Sequence, residues 1–83
     1  MVNILEINFT REAVKQIVKL RQPLKGRVRE AVSKLPDGDV VKLQGYSTKY
    51  RLRTGDYRII FDMCDNIITI GEILPRGEAY KRL

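Results

Sequence analysis

The chain has 83 residues, which is the size of one small domain spanning residues 1–83, and its formal net charge is +6. It contains no histidine and a single cysteine, Cys64. This composition excludes zinc sites of the usual Cys/His kind, Ser-His-Asp and Cys-His catalysis, and an internal disulfide bond. We therefore expect no metal ion and no cofactor. The excess of positive charge favours an anionic partner, either a nucleic acid or an acidic protein.

The N-terminal residues lack the basic segment and apolar run of a signal peptide. Purely apolar runs elsewhere are only a few residues long, so no segment is expected to span or bind a membrane. A single cysteine is also typical of a reducing compartment. The sequence thus predicts a cytoplasmic protein.

The first half of the chain is predicted to form a strand followed by a helical hairpin. Alternating apolar residues indicate a strand over residues 2–9. Thr10 is expected to cap a helix that runs to Leu20, and Pro23 is expected in the first turn of a second helix, which ends at residues 36–39. The apolar stripes of these helices are Ala13, Val14, Ile17 and Val18, then Leu24, Val28, Ala31, Val32 and Leu35.

The second half changes to the two-residue period of strands. Strands are predicted over residues 50–53, 57–63 and 67–73, joined by tight turns into an antiparallel meander, with a short C-terminal helix or tail at 77–83. The predicted fold is α+β: an antiparallel-dominated four-stranded sheet in the order β-α-α-β-β-β, with the helical hairpin on one face. Residues predicted to be buried are Tyr57, Ile59, Phe61, Ile68 and Ile70 from the sheet, and Val14, Ile17, Val28 and Val32 from the helices.

Three arginines are predicted to share the sheet face that points away from the helices. Arg51 and Arg53 lie two residues apart on one strand, and the alternation of the next strand places Arg58 beside them. Like charges opposite each other destabilise a sheet, whereas the planar guanidinium fork matches phosphate oxygens. The pattern by itself is compatible with a phosphate-binding face and with a solvated basic face.

The remaining candidates have simpler interpretations. Residues 1–35 carry eight of the 16 Lys and Arg but only three acidic residues, so the excess charge lies on the helices, where Arg11 belongs to a solvated helix face. Cys64 lies in a predicted turn and is expected to be inert. Glu72 and Glu78 have no spacing that fixes them near each other, so we expect salt bridges rather than an acid–base pair.

Two stretches of the chain carry a family resemblance, and they are Lys42-Leu43-Gln44-Gly45 with Tyr50-Arg51-Leu52-Arg53-Thr54-Gly55-Asp56-Tyr57-Arg58-Ile59-Ile60-Phe61, and Pro75-Arg76-Gly77-Glu78-Ala79-Tyr80. They resemble the RelE/ParE toxin superfamily, and the order of elements is similar over the full chain. The resemblance implies a toxin of a type II toxin–antitoxin module. Within the superfamily, RelE-like members cut mRNA in the ribosomal A site, and ParE-like members inhibit DNA gyrase.

The presence of Arg76 and Tyr80 makes the RelE-like branch the favoured one. The resemblance then implies an endoribonuclease in which arginines contact the scissile and neighbouring phosphates while the RNA 2′-hydroxyl attacks. Tyr80 would stack on or orient the reacting nucleotide, and proton transfer is the further role open to its hydroxyl. The implied catalytic residues are Arg51, Arg53, Arg58, Arg76 and Tyr80, and the implied RNA- and ribosome-binding residues are Lys15, Lys19, Lys25, Arg29, Lys42, Lys49, Lys81 and Arg82.

The implied partners are the ribosome, mRNA and a cognate RelB-like antitoxin with an acidic or amphipathic segment that folds onto the toxin. The alternative is a protein that binds without cutting. It would be either a ParE-like gyrase inhibitor or a non-catalytic nucleic-acid-binding module.

Overall fold

A computed structural model describes residues 6–75, which form two helices and a five-stranded sheet. The sheet order is β1-β5-β4-β3-β2, with β1 parallel to β5 and the other neighbours antiparallel. Neither helix is long and apolar enough to cross a membrane. The elements are β1 (Glu6–Phe9), α1 (Arg11–Lys19), α2 (Leu24–Ser33), β2 (Asp39–Lys42), β3 (Lys49–Thr54), β4 (Tyr57–Cys64) and β5 (Ile67–Pro75).

The α+β class and the antiparallel meander of β3, β4 and β5 agree with the sequence prediction, but the predicted count of four strands is one too low. The additional strand, β2, pairs antiparallel with β3 and places Val40 opposite Leu52. β2 has only four residues and lies at the sheet edge, so its own pattern is too short to indicate a strand. Positions 2–5 and 77–83 of the predicted elements lie outside the described residues.

Helix α1 is anchored to β5 through two polar side chains. The Thr10 hydroxyl accepts a hydrogen bond from the Ala13 amide at 3.1 Å, as predicted for an N-cap, and donates to the Gly71 carbonyl at 2.8 Å. The Gln16 carbonyl oxygen accepts from the Ile73 amide at 2.6 Å. Both contacts flank a β-bulge, where the register between β4 and β5 shifts at Ile60 and Phe61.

Helix α2 begins one position later than predicted. Pro23 is its N-cap, because the Pro23 carbonyl accepts the first helical hydrogen bond from the Arg27 amide at 3.1 Å. Leu24 is therefore the first helical residue, and the ring of Pro23 lies outside the helix, where its missing amide hydrogen leaves no helical bond unmade.

The main core lies between the helices and one face of the sheet. Most predicted core residues are buried, but Tyr57 and Ile17 are only partly buried, and the prediction for Val14 is wrong, because it is 48% exposed. The anchors at Thr10 and Gln16 rotate α1 so that the small Ala13 faces the sheet instead. The buried residues of this core are Ala13, Val28, Val32, Leu35, Leu52, Ile59, Phe61, Ile68, Ile70 and Ile73.

Two helical valines provide a matched test of this packing. Val28 is 0% exposed and Val18 is 68% exposed. We expect Val28→Ala to lower the free energy of unfolding by about 2 kcal/mol, through lost burial and a residual cavity. Val18→Ala should change it by less than about 0.5 kcal/mol. Urea unfolding measures both values, and equal effects would contradict the assigned orientation of the helices.

Candidate functional site

The pairing of β3 with β4 brings the three predicted arginines to one face of the sheet. Arg53 lies opposite Arg58, and Arg51 lies opposite Ile60, while the alternate residues of both strands enter the main core. The arginines therefore point away from the helices, as the alternation predicts. We call this surface, formed by Lys49, Arg51, Arg53, Arg58 and Ile60, the arginine face.

The arginines differ in depth. Arg53 is exposed, Arg51 is partly buried, and Arg58 is only 2% exposed. Arg58 lies on the predicted face beside Arg53, but its side chain is covered. The reason is a second apolar cluster on this face, in which Ile60 and Leu74 pack with Leu43. Leu74 lies directly opposite Arg58 on β5. The three guanidinium groups are therefore not equivalent. Arg53 is open to solvent, Arg51 is partly covered, and Arg58, opposite Arg53, is buried.

Arg58 is tied to the turn between β3 and β4. Its Nη1 donates to the carbonyl oxygens of Gly55 at 3.3 Å and Tyr57 at 3.1 Å. Gly55 adopts φ +58°, a left-handed conformation that glycine tolerates best. The guanidinium therefore holds together the turn that sets the register of Arg53.

Two guanidinium nitrogens are buried without a hydrogen-bond acceptor in the described part of the chain, and they are Nε of Arg51 and Nε of Arg58. Arg51 also forms an ion pair, in which its Nη2 lies 3.8 Å from an Asp39 carboxylate oxygen. An unsatisfied buried donor is unfavourable until an acceptor reaches it. Partly buried Arg51 and exposed Arg53 are the groups that a bound oxyanion such as a phosphate can reach.

Carboxylates border the arginine face at both ends, which the sequence analysis did not anticipate. Asp39 pairs with Arg51, and Asp62 lies 3.8 Å from Lys49 Nζ and accepts from the Thr48 hydroxyl at 3.0 Å. Glu72 shares the face opposite Ile60. Within residues 6–75 no group of three His, Cys, Asp or Glu side chains is placed to hold a metal ion.

The other predicted binding residues within residues 6–75 do not join this site. Of the six proposed RNA- or ribosome-binding residues that the structure describes, Lys49 alone belongs to the arginine face, since it lies opposite Asp62. Those on the helices lie on the other side of the sheet, and Lys42 lies opposite Tyr50, whose ring stacks on the core residue Phe61. The residues on the helices are Lys15, Lys19, Lys25 and Arg29, and those outside the described residues are Arg76, Tyr80, Lys81 and Arg82.

Sequence reasoning assigned no role to Tyr46, which borders the arginine face. Tyr46 is 43% exposed in the loop between β2 and β3, and Lys49 Nζ lies 5.7 Å from its ring centroid. The preceding Gly45 has φ +82°. No periodic pattern covers this loop, so the sequence carried no signal for the position of Tyr46.

The helical side of the molecule carries an open apolar groove. The groove has a volume of about 290 Å³ beside β1 and continues into a second depression of about 240 Å³ along α1. Contiguous exposed apolar surface on a small protein commonly marks a binding site. The helical groove is lined by Ile7, Phe9, Val14, Ile17, Val18, Val28, Arg29, Val32 and Ser33.

Comparison with protein families and with solved structures relates the chain to toxins of toxin–antitoxin systems. A family model described as the ParE toxin of type II toxin–antitoxin systems, parDE, matches residues 7–80. No curated protein matches the chain.

Solved toxin structures share the fold. A chain of the RelB–RelE antitoxin–toxin complex of Methanococcus jannaschii is 22% identical with a TM-score of 0.77, covering 92% of this chain and 98% of that one. A chain of the RelE–RelB complex of Pyrococcus horikoshii OT3 is 30% identical with a TM-score of 0.71, covering 88% and 96%. The YoeB dimer of Staphylococcus aureus is 20% identical with a TM-score of 0.69, covering 84% and 94%.

The depth of Arg58 leads to a prediction about stability. We expect Arg58→Ala to lower the free energy of unfolding by about 3 kcal/mol, because it removes two bonds to turn carbonyls and leaves a cavity. Arg53→Ala, at the exposed position opposite, should change it by less than about 0.5 kcal/mol. Unfolding in urea measures both. Unchanged stability for Arg58→Ala would show that its guanidinium does not hold the turn.

Proposed function

The chain belongs to the RelE/ParE superfamily of type II toxin–antitoxin toxins, and from this premise we propose that it is a ribosome-dependent mRNA endonuclease neutralised by a cognate antitoxin. The observation that carries the proposal is the arginine face, where exposed Arg53 lies opposite the buried guanidinium of Arg58 and on the same side of the strand as partly buried Arg51. Cationic groups fixed near a phosphate stabilise the charge that develops there during cleavage.

In the proposed reaction the RNA 2′-oxygen attacks the adjacent phosphorus, and the bond from phosphorus to the 5′-oxygen breaks. The 2′-hydroxyl loses its proton and the leaving 5′-oxygen gains one, which yields a 2′,3′-cyclic phosphate and a 5′-hydroxyl. Arg51 and Arg53 contact the phosphate oxygens. Arg76 contributes a further phosphate contact, and Tyr80 orients the reacting nucleotide.

The family resemblance implies that Arg58 contacts a phosphate, but this proposal gives it a different role. Its guanidinium is buried and bonded to the turn, so it raises the positive potential beneath the phosphate and holds Arg53 in register. We therefore assign it as a positioning residue. The basic residues of the helices, on the opposite side of the sheet, are proposed to contact ribosomal RNA phosphates, which is a salt-sensitive attraction.

A second candidate function has one specific observation in its favour, since the matching family model is that of ParE toxins. Under this alternative the chain inhibits DNA gyrase and cuts no RNA. The two candidates predict different products in the same extract: mRNA with codon-positioned ends, or intact mRNA together with loss of supercoiling activity.

The helical groove is the surface that we propose for the antitoxin. Phe9, Val14 and Val18 expose large apolar groups along it, and Arg29 forms part of its rim. An amphipathic segment could bury its apolar face there while its acidic residues meet the basic helices. A negatively charged segment is favoured because residues 1–35 carry most of the excess positive charge.

The nuclease proposal predicts that the arginine face affects the cleavage step and that the basic helices affect ribosome binding. At saturating ribosome, Arg53→Ala should slow single-turnover mRNA cleavage by about a hundredfold, the usual effect of losing one contact to transition-state charge. Lys15→Ala should leave that step unchanged but weaken ribosome association and flatten its salt dependence. Primer extension on the mRNA measures the cleavage.

A parallel gyrase supercoiling assay completes this test. Wild-type protein that leaves mRNA intact while abolishing supercoiling would replace the nuclease with the ParE-like function. Equal cleavage rates for wild type and Arg53→Ala would remove the arginine face from the site.

The antitoxin surface predicts a charge-dependent effect at one exposed position. Val18→Glu should weaken binding of the cognate antitoxin by at least about tenfold, because it removes apolar contact and repels an acidic segment. Val18→Lys should weaken binding less, since lysine can pair with the same segment. Titration calorimetry with the antitoxin measures both, and stronger weakening by lysine would contradict an acidic occupant.

A further inference from the structure

We propose that Tyr46 is a stacking platform for one base of single-stranded RNA, placed beside the Lys49 end of the arginine face. The proposal rests on the proposed function in taking RNA as the ligand, and it adds a subsite for a base to the phosphate contacts of the arginines. Aromatic rings beside a basic track are the usual means by which proteins hold unpaired bases.

The ring of Tyr46 is held in place from one side. Lys49 Nζ lies 5.7 Å from the ring centroid, and the same ammonium group lies 3.8 Å from an Asp62 carboxylate oxygen. The other Asp62 oxygen accepts from the Thr48 hydroxyl at 3.0 Å. These contacts place the lysine ammonium group over the Tyr46 ring. Tyr46 as a whole residue is nevertheless 43% exposed, which is the access that the proposed stacking requires.

Other aromatic rings in the described residues have different surroundings. Tyr50 stacks on Phe61 with centroids 5.6 Å apart, and Tyr57 packs against the main core. Phe9 lines the helical groove on the opposite side of the sheet. Among residues 6–75, Tyr46 is thus the aromatic ring that meets the arginine face.

The spacing along β3 suits a strand of successive nucleotides. Lys49, Arg51 and Arg53 point to the same side at intervals of about 7 Å, since alternate residues of a strand share a face. A single-stranded RNA whose phosphates follow these three groups has one base at the Lys49 end, next to Tyr46. Stacking there tolerates any base, because each base has a flat π-face.

The test measures binding of a short single-stranded RNA made uncleavable by 2′-O-methyl groups, with fluorescence anisotropy as the readout. Tyr46→Ala should weaken binding by about tenfold or more, the usual effect of losing one base–aromatic stack. Tyr46→Phe should bind within about twofold of wild type, because the ring face is kept. Tyr46→Leu, which keeps apolar bulk without a ring, should resemble Tyr46→Ala.

Two further measurements separate stacking from other effects. An abasic nucleotide is moved along the RNA one position at a time. At one position it should weaken binding by the wild-type protein, and at that position it should not change the affinity of Tyr46→Ala. The dependence of affinity on salt should be unchanged in Tyr46→Ala but reduced in Arg53→Ala, which loses a phosphate contact. Urea unfolding of each variant identifies any loss of binding that comes from loss of the fold.

Wild-type affinity in Tyr46→Ala or in Tyr46→Leu would overturn the platform, and so would a wild-type protein that does not bind the RNA. The proposed function fails separately. In that case the wild-type protein cuts no mRNA on the ribosome, while its binding of the uncleavable RNA still depends on the Tyr46 ring.

Discussion

The register between β3 and β4 is the constraint on which both sides of the molecule depend. Pairing Arg53 with Arg58 places the arginines on one face and, by the same alternation, sends Leu52, Ile59 and Phe61 into the core. A slip of one residue would exchange the two sets, burying guanidinium groups under the helices. Burial of the core residues therefore fixes the arginine face, and the Arg58 bonds to the Gly55–Tyr57 turn fix it from the other side.

Local periodicity predicted the elements whose pattern is long enough to read. The alternation in β3, β4 and β5 indicated both the strands and their faces, and Thr10 was a recognisable helix cap. The strand β2 and the rotation of α1 could not be predicted in this way. β2 is stabilised by its pairing with β3, and α1 is oriented by contacts of Thr10 and Gln16 with β5, which lies more than 50 residues away in the chain.

The sequence predicted on which side of the sheet the arginines lie, but not how deeply each one is buried. Alternation says which way Arg58 points, whereas its burial comes from the Ile60–Leu74–Leu43 cluster on the same face. One signal was available, since Ile59, Ile60 and Phe61 are consecutive, and an uninterrupted apolar run is typical of a strand covered on both faces. Tyr46 could not be predicted because its position depends on a loop whose course is set by Gly45 and by the ion pair of Lys49 with Asp62.

The opposite placement of the arginine face and the helical groove bears on how an antitoxin could neutralise such a toxin. A segment lying only in the groove covers the side that carries Lys15, Lys19 and Arg29, and leaves Arg53 open. Under the proposed function, that segment competes with ribosomal RNA for the basic helices, because both are anionic. Neutralisation by this route acts on docking rather than on the chemical step.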